Sequence, residues 1–204
     1  MKQKANGFTM IEVVLVLAIS GAIFAAIFIA LNGVWADERD NERRADVMTF
    51  IRELKNFQTN NSRGALPGST GGDKQLFDDK KMVTIVYNDD GRVNTAATNS
   101  DRNSNISWYG FYNDYFDINF TDPDGPRYNL SAVKCISTGP DQRCTNPGLD
   151  EISNGTFSNN AFSYTLFVVT EAVCDGEDAK KSLNPRNVAV LYRMEAGGVY
   201  CENT

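Results

Sequence analysis

The chain has 204 residues, a formal net charge of −6 and no histidine. Its length fits one folded domain on an anchor, and its acidic balance argues against a general nucleic-acid surface, which is basic, while leaving room for a small basic patch. The absence of histidine excludes Ser-His-Asp and Cys-His catalytic sites. No internal repeat, glycine-rich phosphate loop or other catalytic motif is present, and the many carboxylates single out no pair for acid–base chemistry.

The chain opens with the polar head MKQKANG and continues into FTMIEVVLVLAISGAIFAAIFIALNGVW. From Phe8 to Trp35 the only charge is Glu12. At about 1.5 Å per residue, this run as a helix exceeds the roughly 30 Å hydrocarbon core of a bilayer. It therefore reads as a membrane span. Lys2 and Lys4 precede it and the mixed charges Asp37, Glu38, Arg39 and Asp40 follow, which places the amino end in the cytoplasm and the bulk outside. The run is too long for a conventional secretory signal, and no A-x-A site closes it. A carboxylate inside such a span costs about 2.5–3.5 kcal/mol on insertion scales, so Glu12 is a functional candidate. Either it lies near enough the helix start to reach the headgroups, or it pairs with a cation. The nearest such cation is the amino terminus created by a cut between Gly7 and Phe8.

After Trp35 the pattern becomes amphipathic. Val47, Phe50, Ile51, Leu54 and Phe57 recur at three- and four-residue steps among charged residues. Asn60-Asn61-Ser62-Arg63-Gly64 ends the pattern, with Pro67 beyond. The expectation is one helix from Met10 to Asn60, on the order of 75 Å long at 1.5 Å per residue. It is apolar all round in its first half and carries one apolar stripe in its second, as when a sheet packs on that face.

Residues 65–79 read as a Pro/Gly-rich polar connector. Residues 82–87 have the β-branched character of a strand, residues 88–91 form a turn, and residues 92–104 a polar loop. In the aromatic-rich segment 106–120, Trp108, Phe111, Tyr112, Tyr115 and Phe116 follow helical spacing. They form either an adhesive, sugar-binding platform or a short helix packed on the core. Thr121-Asp122-Pro123-Asp124-Gly125-Pro126 is a tight turn whose two aspartates offer ligands to a cation but lack the other oxygens of an EF-hand loop. Strands are expected over 127–135, 161–169, 187–194 and 199–202, antiparallel, with a hairpin turn at 195–198. Residues 175–185 read as a charged loop, and 145–160 as exposed.

Gly7, then Phe8-Thr9-Met10-Ile11-Glu12, then an apolar run with Gly21, resembles the prepilin signature of type IV pilins and type II secretion pseudopilins. The resemblance covers about the first 35 residues. It implies cleavage after Gly7 by a prepilin peptidase, N-methylation of Phe8, and an assembly role for Glu12, the fifth residue of the mature chain. The helix-breaking proline that many members carry is replaced here by Ile29. The chain then divides into a leader (1–7), a membrane and filament-core helix (8–35), its amphipathic continuation (36–60) and an extracytoplasmic β-rich domain (61–204). The expected fold is α+β, a long amino-terminal helix on a carboxyl-terminal antiparallel sheet. The implied role is a structural pilus subunit, not an enzyme, with a type II pseudopilin or minor pilin as the alternative within the fold. A membrane-anchored protein that never polymerises is the alternative outside it. The implied partners are further copies of the chain, the peptidase, the assembly ATPase and platform proteins, and the membrane as a store. No cofactor and no metal is expected.

Cys135, Cys144, Cys174 and Cys201 are the four cysteines. Outside the cytoplasm an even number reads as disulfides, and four allow three pairings. Cys135–Cys144, closing a small Gly/Pro loop, and Cys174–Cys201, tying the carboxyl end to an earlier strand, are favoured. The competing zinc site lacks both a C-x-x-C and a histidine.

Overall fold

The computed structural model describes residues 8–61, 64–88, 90–137, 142–145 and 164–204. The chain divides into two compact units, Met1–Glu38 and Arg39–Thr204. Helix α1 (Met10–Asn60) has the expected bounds. In the first unit its described large apolar side chains lie open, from Met10 at 86% exposed to Val13 at 49%. The helix is long and apolar enough to cross a membrane. A continuous apolar surface of this kind marks a segment made for lipid or for other helices.

In the second unit α1 carries the stripe Val47, Phe50, Ile51, Leu54 and Phe57, all buried. Burying side chains of this size stabilises by about 1.5–3 kcal/mol each. That outweighs helix propensity, which spans under about 1 kcal/mol per ordinary residue, so packing defines this half of the helix. Two shorter helices follow, α2 (Gly71–Asp78) and α3 (Trp108–Tyr115). Among the described residues the strands are β1 (Val83–Ile85), β2 (Asn129–Lys134), β3 (Thr165–Thr170), β4 (Ala172–Asp175), β5 (Asp178–Lys181), β6 (Val188–Arg193) and β7 (Val199–Asn203). Five form one sheet in the order β1-β2-β3-β6-β7, and β4 and β5 form a separate pair.

The α+β architecture is as expected, but the sheet is mixed. β2 and β3 are parallel, with Leu130 opposite Leu166 and Ala132 opposite Val168. Every other pair is antiparallel. A parallel pair needs a long crossover, and the chain between β2 and β3 is long enough to return to the same end of the sheet. Side chains alternate across β3: Leu166 and Val168 join the core under α1 and α3, while Phe167 and Val169 join a second core with Val133, Ala172, Ala179 and Leu191. Both faces of the central strand are covered, so its sequence reads as a buried run.

Two loop expectations are corrected. The connector at 65–79 contains α2, which buries Phe77 and the carboxylate of Asp73. Asp73 accepts from Ser100 Oγ at 2.9 Å, Asp101 N at 2.8 Å and Trp108 N at 2.8 Å, so α2 is fixed by bonds to residues far along the chain. The charged loop at 175–185 contains β5, paired with β4. Glu171, at φ 58°, separates β3 from β4 and redirects the chain. The third expected strand is seen as Thr165–Thr170; its first residues, 161–163, and most of the segment 145–160 lie outside the described residues.

The aromatic segment settles as core, and the platform reading is overturned. Trp108, Phe111 and Tyr112 are fully buried, and Phe111 meets Phe50 at 5.6 Å and Phe57 at 5.3 Å edge-on. Ser107 caps α3, its Oγ accepting from Gly110 N at 3.0 Å. Gly110 lies against the preceding loop so closely that a Cβ would stand 2.4 Å from Ser104 O and 2.5 Å from Asn105 Cα. Backbone cannot yield as a flexible side chain does. Gly110→Ala is therefore expected to destabilise by about 1–3 kcal/mol, read as a lowered Tm of the full chain in detergent.

Candidate functional site

Glu12 lies in the first turn of α1. Its Oε2 accepts from the Thr9 N–H at 3.0 Å and from Thr9 Oγ1 at 2.9 Å, and its own N–H donates to Thr9 Oγ1 at 3.4 Å. Thr9 and Glu12 thus form a capping box, satisfying orphan donors at the helix start. The negative charge also sits at the favourable end of the helix dipole. The spacing T-x-x-E was present in the sequence, but reading Glu12 only for a partner or the headgroups missed this local role. Glu12 Oε1 takes no hydrogen bond among the described residues. Phe8, next to the cap, is 87% exposed. Gly7 lies outside the described residues.

In the second unit a dense ionic cluster joins α1 to two turns. Arg43 is 4% exposed. Its Nε and Nη2 grip Asp122 at 2.8 and 2.9 Å, Nη2 also reaches Asp124 at 2.6 Å, and Nη1 reaches Asp40 at 2.9 Å and Glu195 at 3.1 Å. All five guanidinium donors are therefore used. The acceptors are bound in turn. Asp122 accepts from Tyr192 Oη at 2.7 Å and from Asp124 N at 2.9 Å. Asp40 accepts from Glu195 N at 2.8 Å and Ala196 N at 2.9 Å, clamping the β6–β7 hairpin turn. Arg39 adds a fork to Glu195 and a contact to Asp124 at 3.3 Å. The aspartates of the 121–126 turn thus hold an arginine of the same chain. Among the described residues no cluster of acidic, cysteine or histidine side chains is arranged for a metal ion.

These contacts shift the acids in both directions. Hydrogen bonds from Arg39, then Arg43, draw the Glu195 carboxyl from its ordinary 4.5 to about 2. Burial pushes Asp40 up, but the Ala196 and Glu195 N–H groups and Arg43 outweigh it and hold Asp40 below its ordinary value. Burial raises Asp46, against a hydrogen bond from Tyr128 that lowers it. All four cysteines are paired, Cys135 with Cys144 and Cys174 with Cys201, at Cα separations of 5.0 and 5.8 Å. Among the described residues no thiolate remains for zinc, so that alternative falls. The first bridge lies in the core beyond the sheet, where Cys144 N donates to Ala179 O at 2.9 Å. The second ties β4 to β7.

Removing Arg43 leaves Asp40 and Asp122 buried without their cation. Arg43→Met is expected to cost about 3–5 kcal/mol, whereas Arg39→Ala, at a solvent-screened pair, costs far less. Thermal melts of the two variants in detergent check the ratio. A carboxylate with a depressed pKa stabilises the fold above its ordinary value and loses that stabilisation as pH falls through the depressed one. Glu195 and Asp40 therefore predict a falling Tm between about pH 5 and pH 2, with Asp46 opposing it. Arg39→Ala should flatten that slope, and an unchanged slope removes Glu195 from the explanation.

Residues 2–28 match the family model described as the prokaryotic N-terminal methylation motif, the signature of type IV prepilin-like proteins. No curated protein and no solved structure matches the chain. The motif supports a pilin-like or pseudopilin protein, processed by prepilin peptidase and assembled into pili, and with the apolar helix it indicates membrane anchoring as a precursor.

Proposed function

We propose that the chain is a structural subunit of a type IV pilus, cut after Gly7, methylated on Phe8 and polymerised through its apolar helix. The observation that carries the reading is the state of Glu12. Four residues beyond Phe8 stands the one carboxylate of the apolar run, with one oxygen engaged by the cap and the other uncommitted among the described residues. On this reading Oε1 of an incoming subunit accepts from the amino terminus of the subunit added before it. Pairing the two charges offsets much of their desolvation and sets the register of addition. The exposed apolar side chains of the first unit then pass from lipid to the helices of neighbouring subunits, where close packing replaces lipid contacts. The leader takes Lys2 and Lys4 with it, so the mature chain moves from −6 to −8.

The precursor would sit in the cytoplasmic membrane with its amino end inside, and the polymer would lie outside the cell. Peptidase, assembly ATPase and platform proteins are the partners. The chain itself catalyses nothing on this reading, and the fibre serves adhesion, motility or DNA uptake. The same Glu12 geometry serves a type II pseudopilin or a minor pilin, and subunit abundance in purified fibres separates these from a major pilin. A non-polymerising anchored protein would keep residues 1–7 and be indifferent to Glu12.

The capping box allows charge and cap to be separated. Glu12→Gln keeps a cap-competent side chain and loses the charge, whereas Glu12→Ala loses both. Both variants are expected to abolish fibres while the precursor still accumulates in the membrane. Intact-mass spectrometry of the wild type from its native cells is expected to show loss of the first seven residues and gain of one methyl group. Fibres at wild-type level from Glu12→Gln would reduce Glu12 to a helix cap, and a retained leader would sink the reading.

A further inference from the structure

Two clefts of about 330 and 470 Å³ share Phe77, Asp78 and Lys134 in their walls. Both volumes fall in the range of small-molecule sites. Lys74 and Arg186 line the first, Lys80 and Lys181 the second. These cations come from α2, from the turns after α2 and β5, and from the ends of β2 and β5. The tertiary fold brings them together on a chain whose net charge is −6. The acids beside them, Asp78 and Glu171, are already engaged: Lys74 pairs with Asp78, and both Lys134 and Lys181 close on Glu171. Lys80 and Arg186 enter no ion pair among the described residues. Lys80 and Arg186 therefore leave two positive charges at the clefts with no ion-paired carboxylate among the described residues.

Two residues of their walls are also held in a conformation that side chains rarely adopt, Lys80 at φ 59° and Glu171 at φ 58°. Such positions persist where the surrounding structure requires them, and they gather at binding sites. Glu171 turns β3 into β4 and so brings its carboxylate to both lysines, and Lys181 also donates to Cys135 O at 3.2 Å. The first cleft is also lined by the apolar Leu66 and Pro185, the one half-buried and the other open to solvent.

We propose that these adjoining clefts bind an anionic sugar, a monosaccharide-sized unit bearing a phosphate or a carboxylate. The lysines supply point charges for an oxyanion, Arg186 a fork. The apolar walls accept the body of a ring, which a bare inorganic anion would not use. A single-stranded nucleic acid needs exposed aromatic faces for its bases, and Phe77 is buried. A duplex needs cations set along a line of phosphates, and these cluster instead around two clefts that share walls.

The test is isothermal titration of the full-length chain in nonionic detergent, so it stands apart from polymerisation. The probes are glucose 6-phosphate, glucuronate, glucose, inorganic phosphate and a short DNA duplex. Binding of glucose 6-phosphate or glucuronate, weakened by salt and at least about tenfold stronger than that of glucose or phosphate, is expected. The double variant Lys80→Gln with Arg186→Gln, both exposed, should weaken it at least about tenfold at an unchanged Tm. The control Leu183→Ser, at a fully exposed neighbour of the same loop, should not. Equal binding of glucose, equally tight binding of bare phosphate, preference for the duplex, an unaffected double variant, or no binding of either anionic sugar would each overturn the proposal.

Discussion

The domain of the second unit depends on one buried guanidinium. Arg43 holds three separate stretches of chain at once: its own helix through Asp40, the 121–126 turn through Asp122 and Asp124, and the β6–β7 turn through Glu195. Burying a lone arginine would be prohibitive. It becomes favourable because every donor has an acceptor and each buried acceptor has further donors, down to Tyr192 Oη and the hairpin N–H groups. Such a cluster is intolerant of partial loss. Its geometric demands fix the depth at which α1 lies along the sheet, something an apolar stripe alone leaves free to slide.

The carboxylates of the chain are used in two opposite ways. Asp122, Asp40 and Asp73 are saturated by donors and take no further partner without rearrangement. They are structural. Glu12 is exposed and keeps one oxygen uncommitted. The same side-chain chemistry is thus closed where it specifies the fold and left open where the proposed assembly needs a partner. The capping bonds serve both states, since they aim the carboxylate toward the amino-terminal end of the helix before any neighbour arrives.

The mixed sheet serves as a partition. On one side α1 and α3 cover an aromatic core; on the other the β4–β5 pair and the two disulfides cover a smaller one. The bridges reinforce the second side, where aliphatic area is less. The cationic clefts lie where α2 and the loops around β4 and β5 meet, so the ligand chemistry proposed for them belongs to the part of the domain built from loops.

The sequence by itself determined the helix from Met10 to Asn60, its change from all-round apolar to striped, the prepilin-like start and the strand-rich carboxyl half. These signals are local: periodicity, a fixed motif spacing and β-branched runs are readable within a window of a few turns. The cysteine pairing was legible because few pairings existed. Only the tertiary structure decided the parallel β2–β3 pair, α2, the pairing of β5, and the choice of Arg43 as the cation of the Asp122–Asp124 turn. Apart from β5, which pairs with the neighbouring β4, each of these rests on partners tens of residues away, such as Asp73 with Trp108 or Arg43 with Asp122. An arginine in an amphipathic helix looks like a solvated charge, at most paired with Asp40 one turn back, until the fold brings Asp122, Asp124 and Glu195 to it, and no spacing rule along the chain encodes that meeting.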